Sequence, residues 1–509
     1  MVSRDFFVLP AAAFPAFCGY PVIKTARFGG GRAVFRSAKA RWFVQAAFSE
    51  PLSRVIERVA AILAFSLFAI VFLFVMAMPA RAQPLREALA SAYSNNPNIA
   101  SALISVKVSA EDIALRRAGK LPTIGFSAEL NNSVSVVGGN ATVSNGATLG
   151  LSYRQTLFDN LRTDAQIEQA RAFSTVAVQS LRNAEQNVLL SAATAYFNVI
   201  RDTELVKLRG ENVAFFQTQV QAAKDRLGIG EGTRTDVSQA EARLASGVAA
   251  YKNAIASLQV SQAAYRRWIG QPPRDLSMDY DFGNLLPLSL DQALGLADSL
   301  HPAILGAMAQ IRAAQSASDA ARAAFGPTLD LIGSICAVNC FGANGTGMTG
   351  SVRLTLSIPI YAGGALGASV RQANLNQVKS ELDAMATRSQ VREAVVSAWN
   401  GVQNSDAQIA AASSAAALSR EVLDGVIEEQ RVGQRTVLDV LNARSDLTSA
   451  RENLISAQSS RMIASFSLLS AIGRLSAADL ALPVRILSGD GYLQTVEDVW
   501  AELRSVPEN

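Results

Sequence analysis

The chain repeats itself, and that repeat limits its possible folds more than any other feature. Leu85-x-x-Ala88-Leu89, leading to Pro97, returns as Leu290-x-x-Ala293-Leu294, leading to Pro302, an offset of 205. Pro122-Thr123 returns as Pro327-Thr328 at the same offset. Further on the offset is 203. Gln169-Ala170 there matches Gln372-Ala373, and Ile269-Gly270 matches Ile472-Gly473. Gly230, Thr233, Asp236, Val237, Ala240 and Leu244 match Gly433, Thr436, Asp439, Val440, Ala443 and Leu447. The lost two residues fit a shortened loop. Chance does not hold one register over so long a stretch. The chain therefore divides into a first repeat at 83–270, a Pro/Gly-rich linker at 271–287, a second repeat at 288–475 and a C-terminal segment at 476–509.

Each copy has the same plan, helix–strand–strand–helix. A first helix is predicted from Leu85 to Lys120, interrupted near Pro97, with its twin from Leu290 to Ala324. Periodicity then switches from helical to alternating. Leu149, Leu151, Tyr153 and Leu157 alternate with Gly150, Ser152, Arg154 and Thr156. In the second copy Val352, Leu354, Leu356, Ile358 and Ile360 alternate with Arg353, Thr355, Ser357 and Pro359. Another strand precedes each run, at Thr123 to Val136 and Thr328 to Val338. Gly/Asn/Ser-rich turns are expected at Gly138 to Gly146 and Gly342 to Gly350. Two proline-free helices follow, Asn160 to Leu227 and Gly367 to Val432, each reaching on the order of 100 Å. After each comes Gly-x-x-Thr-x-x-Asp, then a returning helix, Asp236 to Ile269 or Asp439 to Ile472. Ala-rich, partly heptad spacing suits close antiparallel packing of these helices.

The N-terminal region reads as an export signal. Arg54 and Arg58 precede an almost wholly apolar stretch, Ala60 to Met78, and Ala80-Arg81-Ala82 comes next, which predicts cleavage after Ala82. A single membrane-spanning helix is the alternative for that stretch, and both readings export the rest of the chain. Residues 1–49 have no assignable pattern, which points to a start codon placed too far upstream. Residues 1–82 carry ten Lys/Arg against three Asp/Glu, so the net charge of +4 comes from the presequence. The basic pI is thus no sign of a nucleic-acid partner. Charged residues are 17% and apolar ones 50%, which argues against long disordered tails. Only Cys336 and Cys340 remain after cleavage. In an oxidising compartment they could form a disulfide, but on an extended strand they are too far apart, so a bridge requires a tight turn between them. The single histidine, His301, lies before Pro302 where the first copy has Asn96. It reads as a helix-end residue, which leaves no basis for a His-centred enzyme or metal site, and no cofactor is expected.

Four strands with one apolar and one polar face cannot close alone in a bilayer, because open edges would leave backbone groups unpaired in hydrocarbon. Single-chain barrels begin at about eight strands. Several chains must therefore share one barrel, two giving about eight strands and three about twelve. Arg154 and Arg353 lie opposite the leucines, as a water-filled lumen requires. The competing architecture is a trimeric coiled-coil adhesin or structural stalk, but it needs an exposed passenger region and both inter-strand loops are short.

Residues Gln83 to Leu475 resemble the TolC-type outer-membrane efflux proteins. The resemblance rests on Ala195-Tyr196-Phe197-Asn198-Val199, on Gly230-x-x-Thr233-x-x-Asp236-Val237, and on the run Val432 to Ala443. It implies a homotrimer in outer-membrane lipid, with four strands per chain in a twelve-stranded barrel and the helices in a tapering periplasmic tunnel. The C-terminal segment would join a belt around the tunnel. A periplasmic adaptor and an inner-membrane transporter, ABC-type or proton-driven, would dock at the helical tip, near Gly230, Thr233, Gly433 and Thr436. The implied role is a passive exit duct for efflux or type I secretion, without catalysis. The resemblance also marks a gate. Asp439 matches a ring of carboxylates at the narrowest point, Arg435 a link holding the entrance shut, and Gln219 and Asp236 further linking positions. Asn442 stands where relatives can have a second acid and Gln430 where they can have tyrosine, which implies three carboxylates in the ring instead of six.

Overall fold

The computed structural model describes residues 85–341 and 346–497. The expected signal sequence and its cleavage point at Ala82 lie outside the described residues. In the first copy α1 (Leu85–Asn95) and α2 (Pro97–Arg117) lead through a short 3-10 turn into β1 (Thr123–Val137) and β2 (Asn140–Phe158). Then come α3 (Arg162–Gly228) and α4 (Arg234–Ile269). The second copy repeats the order as α5 (Leu290–Leu300), α6 (Pro302–Ala323), β3 (Thr328–Phe341), β4 (Thr346–Ser357), α7 (Ala365–Arg431) and α8 (Val437–Ala471). A last helix, α9 (Asp490–Glu497), closes the described chain.

The helix break in each copy has the same cause. Proline fills the first position of α2 and α6, where its missing N–H costs nothing. The residue before it caps the helix: Asn96 Oδ1 accepts from Asn98 N–H at 2.9 Å, and His301 Nδ1 accepts from Ala303 N–H at 3.2 Å. His301 is thus the helix-end residue its match to Asn96 predicts, with burial lowering its pKa.

The long helices α3 and α7 have 67 residues each, about 100 Å of helix. Each enters from its strand through two left-handed residues, Asn160-Leu161 in one copy and Gly363-Gly364 in the other. Glycine adopts that backbone freely, whereas Leu161 at φ 65° is strained. The helix therefore starts two residues later than Asn160.

The main core gathers where both copies meet. Tyr196 and Phe197 of α3 are fully buried beside Phe466 of α8, with the Phe197 and Phe466 rings 6.0 Å apart. This explains the Ala195-to-Val199 motif as packing. The joint between the copies folds onto the same core. Tyr280 and Phe282 pack on Phe466, and Ser277 N–H donates to the Tyr196 hydroxyl. So does the C-terminal segment, through buried Ala477, Leu480 and Leu482. Leu487 N–H donates to Tyr93 of α1, and Tyr492 of α9 donates to Glu111 of α2.

The strands form one antiparallel sheet in the order β1-β2-β3-β4. Its first turn is only Gly138-Gly139, both at positive φ, and β2 starts at Asn140. The expected turn to Gly146 is strand, because alternating small and polar residues pair in register with β1. The second turn is likewise shorter than expected, since β4 begins at Thr346. Conversely, Ile358 and Ile360 lie beyond the end of β4. The tight turn that a disulfide requires is absent. Positions 336 and 340 sit on one unbroken strand, facing positions 150 and 146 of β2, with no turn between them. Cys336 is a free thiol.

Candidate functional site

Two places in the fold could act on other molecules: the paired helical tips and the strand wall. Each tip is a helix end closed on itself. At the end of α3, Gly230 has φ 81°, Gly230 N–H donates to Leu227 C=O at 3.2 Å, and Glu231 N–H donates to Arg226 C=O at 2.9 Å. At the end of α7, Gly433 has the same φ, with Gly433 N–H to Gln430 C=O at 3.1 Å and Gln434 N–H to Glu429 C=O at 2.9 Å. This pattern requires a left-handed residue and hence glycine. A side chain there would meet no other atom, so backbone conformation alone selects it.

The returning helices begin with matching capping boxes. Thr233 Oγ1 accepts from Asp236 N–H at 3.1 Å, and Asp236 Oδ2 accepts from Thr233 N–H at 3.0 Å. Thr436 and Asp439 repeat this at 3.2 Å and 2.9 Å. Reciprocal caps satisfy two otherwise orphaned donors, and the acid complements the helix dipole. The Asp439 carboxyl is held below the ordinary carboxylate range, first by the Thr436 backbone N–H, then by its hydroxyl and by Arg435. Arg435 in turn donates to Glu429 at 2.8 Å, which holds its guanidinium firmly cationic.

The two tips of one chain touch through two arginines that sequence reasoning did not single out. Arg226 donates to the Gln430 carboxamide oxygen, at 3.1 Å with the amide oriented by its partners. Arg243 of α4 donates to Asn442 Oδ1 of α8 at 2.7 Å. The two positions that depart from the family pattern are thus each tied to an arginine of the first copy. The copies differ in charge at the matching sites, Glu429 for Arg226 and Asp446 for Arg243, so the repeat could not flag them. The tip groove of about 360 Å³ is lined by Arg226, Asp236, Gln430, Arg435 and Thr436. Gln219 lies half-buried on α3, one to two turns away from this group, and has no hydrogen-bond partner among the described residues.

The strand wall has two faces with different chemistry. Register rows such as Ile124–Tyr153–Gly333–Val352 and Phe126–Leu151–Ile335–Gly350 make one face apolar. Ile124, Phe126, Leu151, Val352 and Leu354 are all exposed in the single chain. The opposite face carries Ser127, Glu129, Ser152, Arg154, Ser334, Ser351 and Arg353. Among the described residues both edge strands, β1 and β4, are unpaired on their outer sides. Among the described residues no helix is long and apolar enough to cross a membrane, and no side-chain group could hold a metal ion.

A two-faced open sheet on long paired helices defines a membrane channel protein with a β-barrel wall and a helical tunnel. Comparison with known proteins agrees. The profile of the outer membrane efflux protein family matches residues 88–271 and 293–474, one match per copy. The outer membrane efflux protein BepC of Brucella suis is 35% identical over 84% of this chain and 93% of its own length. The outer membrane protein TolC of Escherichia coli is 26% identical over 79% of this chain and 84% of its own. Among solved structures, CusC shares the fold with a TM-score of 0.68 at 21% identity, covering 76% of this chain and 92% of that one. The chain belongs to the outer membrane efflux protein family, whose members are channels of the outer membrane that extend through the periplasm.

Proposed function

We propose that three copies of this chain form one passive duct through the outer membrane and periplasm. Three sheets make a twelve-stranded barrel, and three sets of helices make the tunnel below it. A periplasmic adaptor docks at the tip groove, and an inner-membrane transporter, ABC-type or proton-driven, supplies the cargo for efflux or type I secretion. The observation that carries this reading is the sheet. Its apolar face suits hydrocarbon and its polar face suits water, yet both edges are open, a state that a bilayer does not tolerate. Only further copies can close it.

The helices support the same assembly. On α7 Leu375, Val378, Leu382 and Met385 have a 3–4–3 spacing, and all are exposed in the single chain. That is a coiled-coil seam without a partner. Helix α3, of equal length, buries 21 residues, whereas α7 buries four. The second copy thus reserves its long helix for a neighbouring chain.

At the tip, Asp439 of each chain forms a ring of three carboxylates at the narrowest point. Arg435, Gln219 and Asp236 take part in the links that hold the entrance shut, and Gln430 and Asn442 join them through Arg226 and Arg243. Mass measurement of the purified full chain in detergent tests the assembly: three chains per particle are expected, and a stable monomer or dimer refutes it.

A further inference from the structure

A water-filled lumen explains why two arginines of the strand wall lie on its polar face, but not why they share one row. Arg154 of β2 and Arg353 of β4 lie in one register row, Thr123–Arg154–Ile332–Arg353, on the polar face. Two strand spacings, about 10 Å, separate them. In a wall of three such sheets, the row puts an arginine on every second strand all the way round. Strands tilted by about 40° make the row climb, so the six guanidinium groups form two tiers of three, roughly 6 Å apart along the axis. Twelve strands at that tilt enclose a backbone circle about 24 Å across. Long side chains pointing inward bring their charge within about one Debye length, ~8 Å at physiological salt, of the axis.

The neighbouring acids cancel only half of this charge. Asp330 lies 3.7 Å from Arg154 and accepts from the Thr156 hydroxyl at 2.8 Å. Arg353 faces Ile332 across the sheet, with Ser351 and Thr355 along its own strand, and has no ion-pair partner among the described residues. Glu129, the other acid on this face, is six positions along β1 from Thr123, about 20 Å away. At the foot of the wall Lys120 is paired with Asp164, and Asp159 accepts from Thr163. The row therefore keeps one excess positive charge per chain, three in the assembly.

We propose that this arginine row is a lumenal binding site for multivalent oxyanions, carrying phosphate or carboxylate groups. It gives the barrel a preference opposite in sign to that of the carboxylates at the helical tip. The inference rests on the three-chain barrel proposed above. The planar guanidinium fork grips phosphate and carboxylate oxygens in pairs, and an arginine with no carboxylate partner is free to do so. Anionic cargo leaving the tunnel meets this row next.

Inorganic tripolyphosphate tests the site when it is added to the strand-turn side of the purified full-length protein in planar bilayers. Reversible reduction of the current is expected, at least about tenfold weaker when KCl rises from about 0.1 to about 1 M. Arg353→Gln should require about tenfold more tripolyphosphate, and Arg353→Lys should retain most of the block. Current that ignores millimolar tripolyphosphate overturns the site, as does a block that persists in Arg154→Gln/Arg353→Gln. Either result leaves the duct itself standing, whereas no current at all refutes the duct and the site with it. If the variants do not assemble, the wild type still decides: equal block by a trivalent cation from the same side, or block indifferent to salt, overturns the proposal.

Discussion

Replacing Thr436 by alanine tests whether the capped tip turn also holds the proposed gate. Thr436 Oγ1 donates to Asp439 Oδ2 at 2.8 Å and accepts from Asp439 N–H at 3.2 Å. Alanine removes both bonds and leaves only the backbone N–H of residue 436 on the carboxylate, at 2.9 Å. Loss of an N-cap threonine costs about 1 kcal/mol, which is about fivefold in the balance between an intact and a frayed first turn. That turn carries Asp439, so fraying loosens the carboxylate proposed to line the narrowest point. Single-channel recording should show Thr436→Ala spending about fivefold more time in a higher-conductance level. Thr436→Ser, which keeps the hydroxyl, should behave like the parent. The gating argument fails if Thr436→Ala records like the parent, or if Thr436→Ser is as disruptive as alanine.

The geometry predicts three further outcomes. Asp439→Asn should abolish block by a trivalent cation from the tip side, while Asn442→Asp should strengthen it by adding a second ring; block that survives Asp439→Asn contradicts the proposed ring. Glu185 is buried, accepts from Ala477 N–H at 2.5 Å, and has its pKa raised by desolvation above the ordinary 4.5. The folded state therefore holds this proton longer than the unfolded state does, and this group's contribution to stability falls as pH rises from about 4.5 through the raised value, then levels off. Glu185→Gln should remove that fall and melt no lower than the parent at neutral pH, whereas Glu185→Ala, which leaves a buried N–H unpaired, should lose about 1–3 kcal/mol. Leu161→Gly should stabilise the chain by about 1 kcal/mol in denaturant titration, since it relieves a left-handed leucine where the second copy has glycine.

Much of this architecture is written in the repeat. The helix breaks at Pro97 and Pro302, the two long helices, the returning helices and both capping boxes arise from local chemistry that either copy states alone. The opposed faces of the wall come from simple alternation. Strand boundaries were less legible. Asn140 to Gly146 has the composition of a turn, and only its pairing with β1 makes it strand. The cysteine pair stayed open for a similar reason, since composition gave no sign that the strand runs straight through both positions. The packed joint at 271–287 was hidden by its three prolines and Gly283, while its anchors, Tyr280 and Phe282, are isolated aromatics whose partner Phe466 lies far along the chain. At the tip, Asp439 and Arg435 stood out through repeat and resemblance. Arg226 and Arg243 did not, because their partners are nearly 200 residues away or more and the matching positions in the other copy carry acids.

The most direct test of the central claim is conductance of the purified full-length protein across a planar bilayer. A single duct predicts discrete, uniform current steps, a small closed-state level, and a marked rise when the tip links are cut by Arg226→Ala together with Arg243→Ala. A chain that inserts as a three-chain particle yet carries no current, before or after those substitutions, would contradict it.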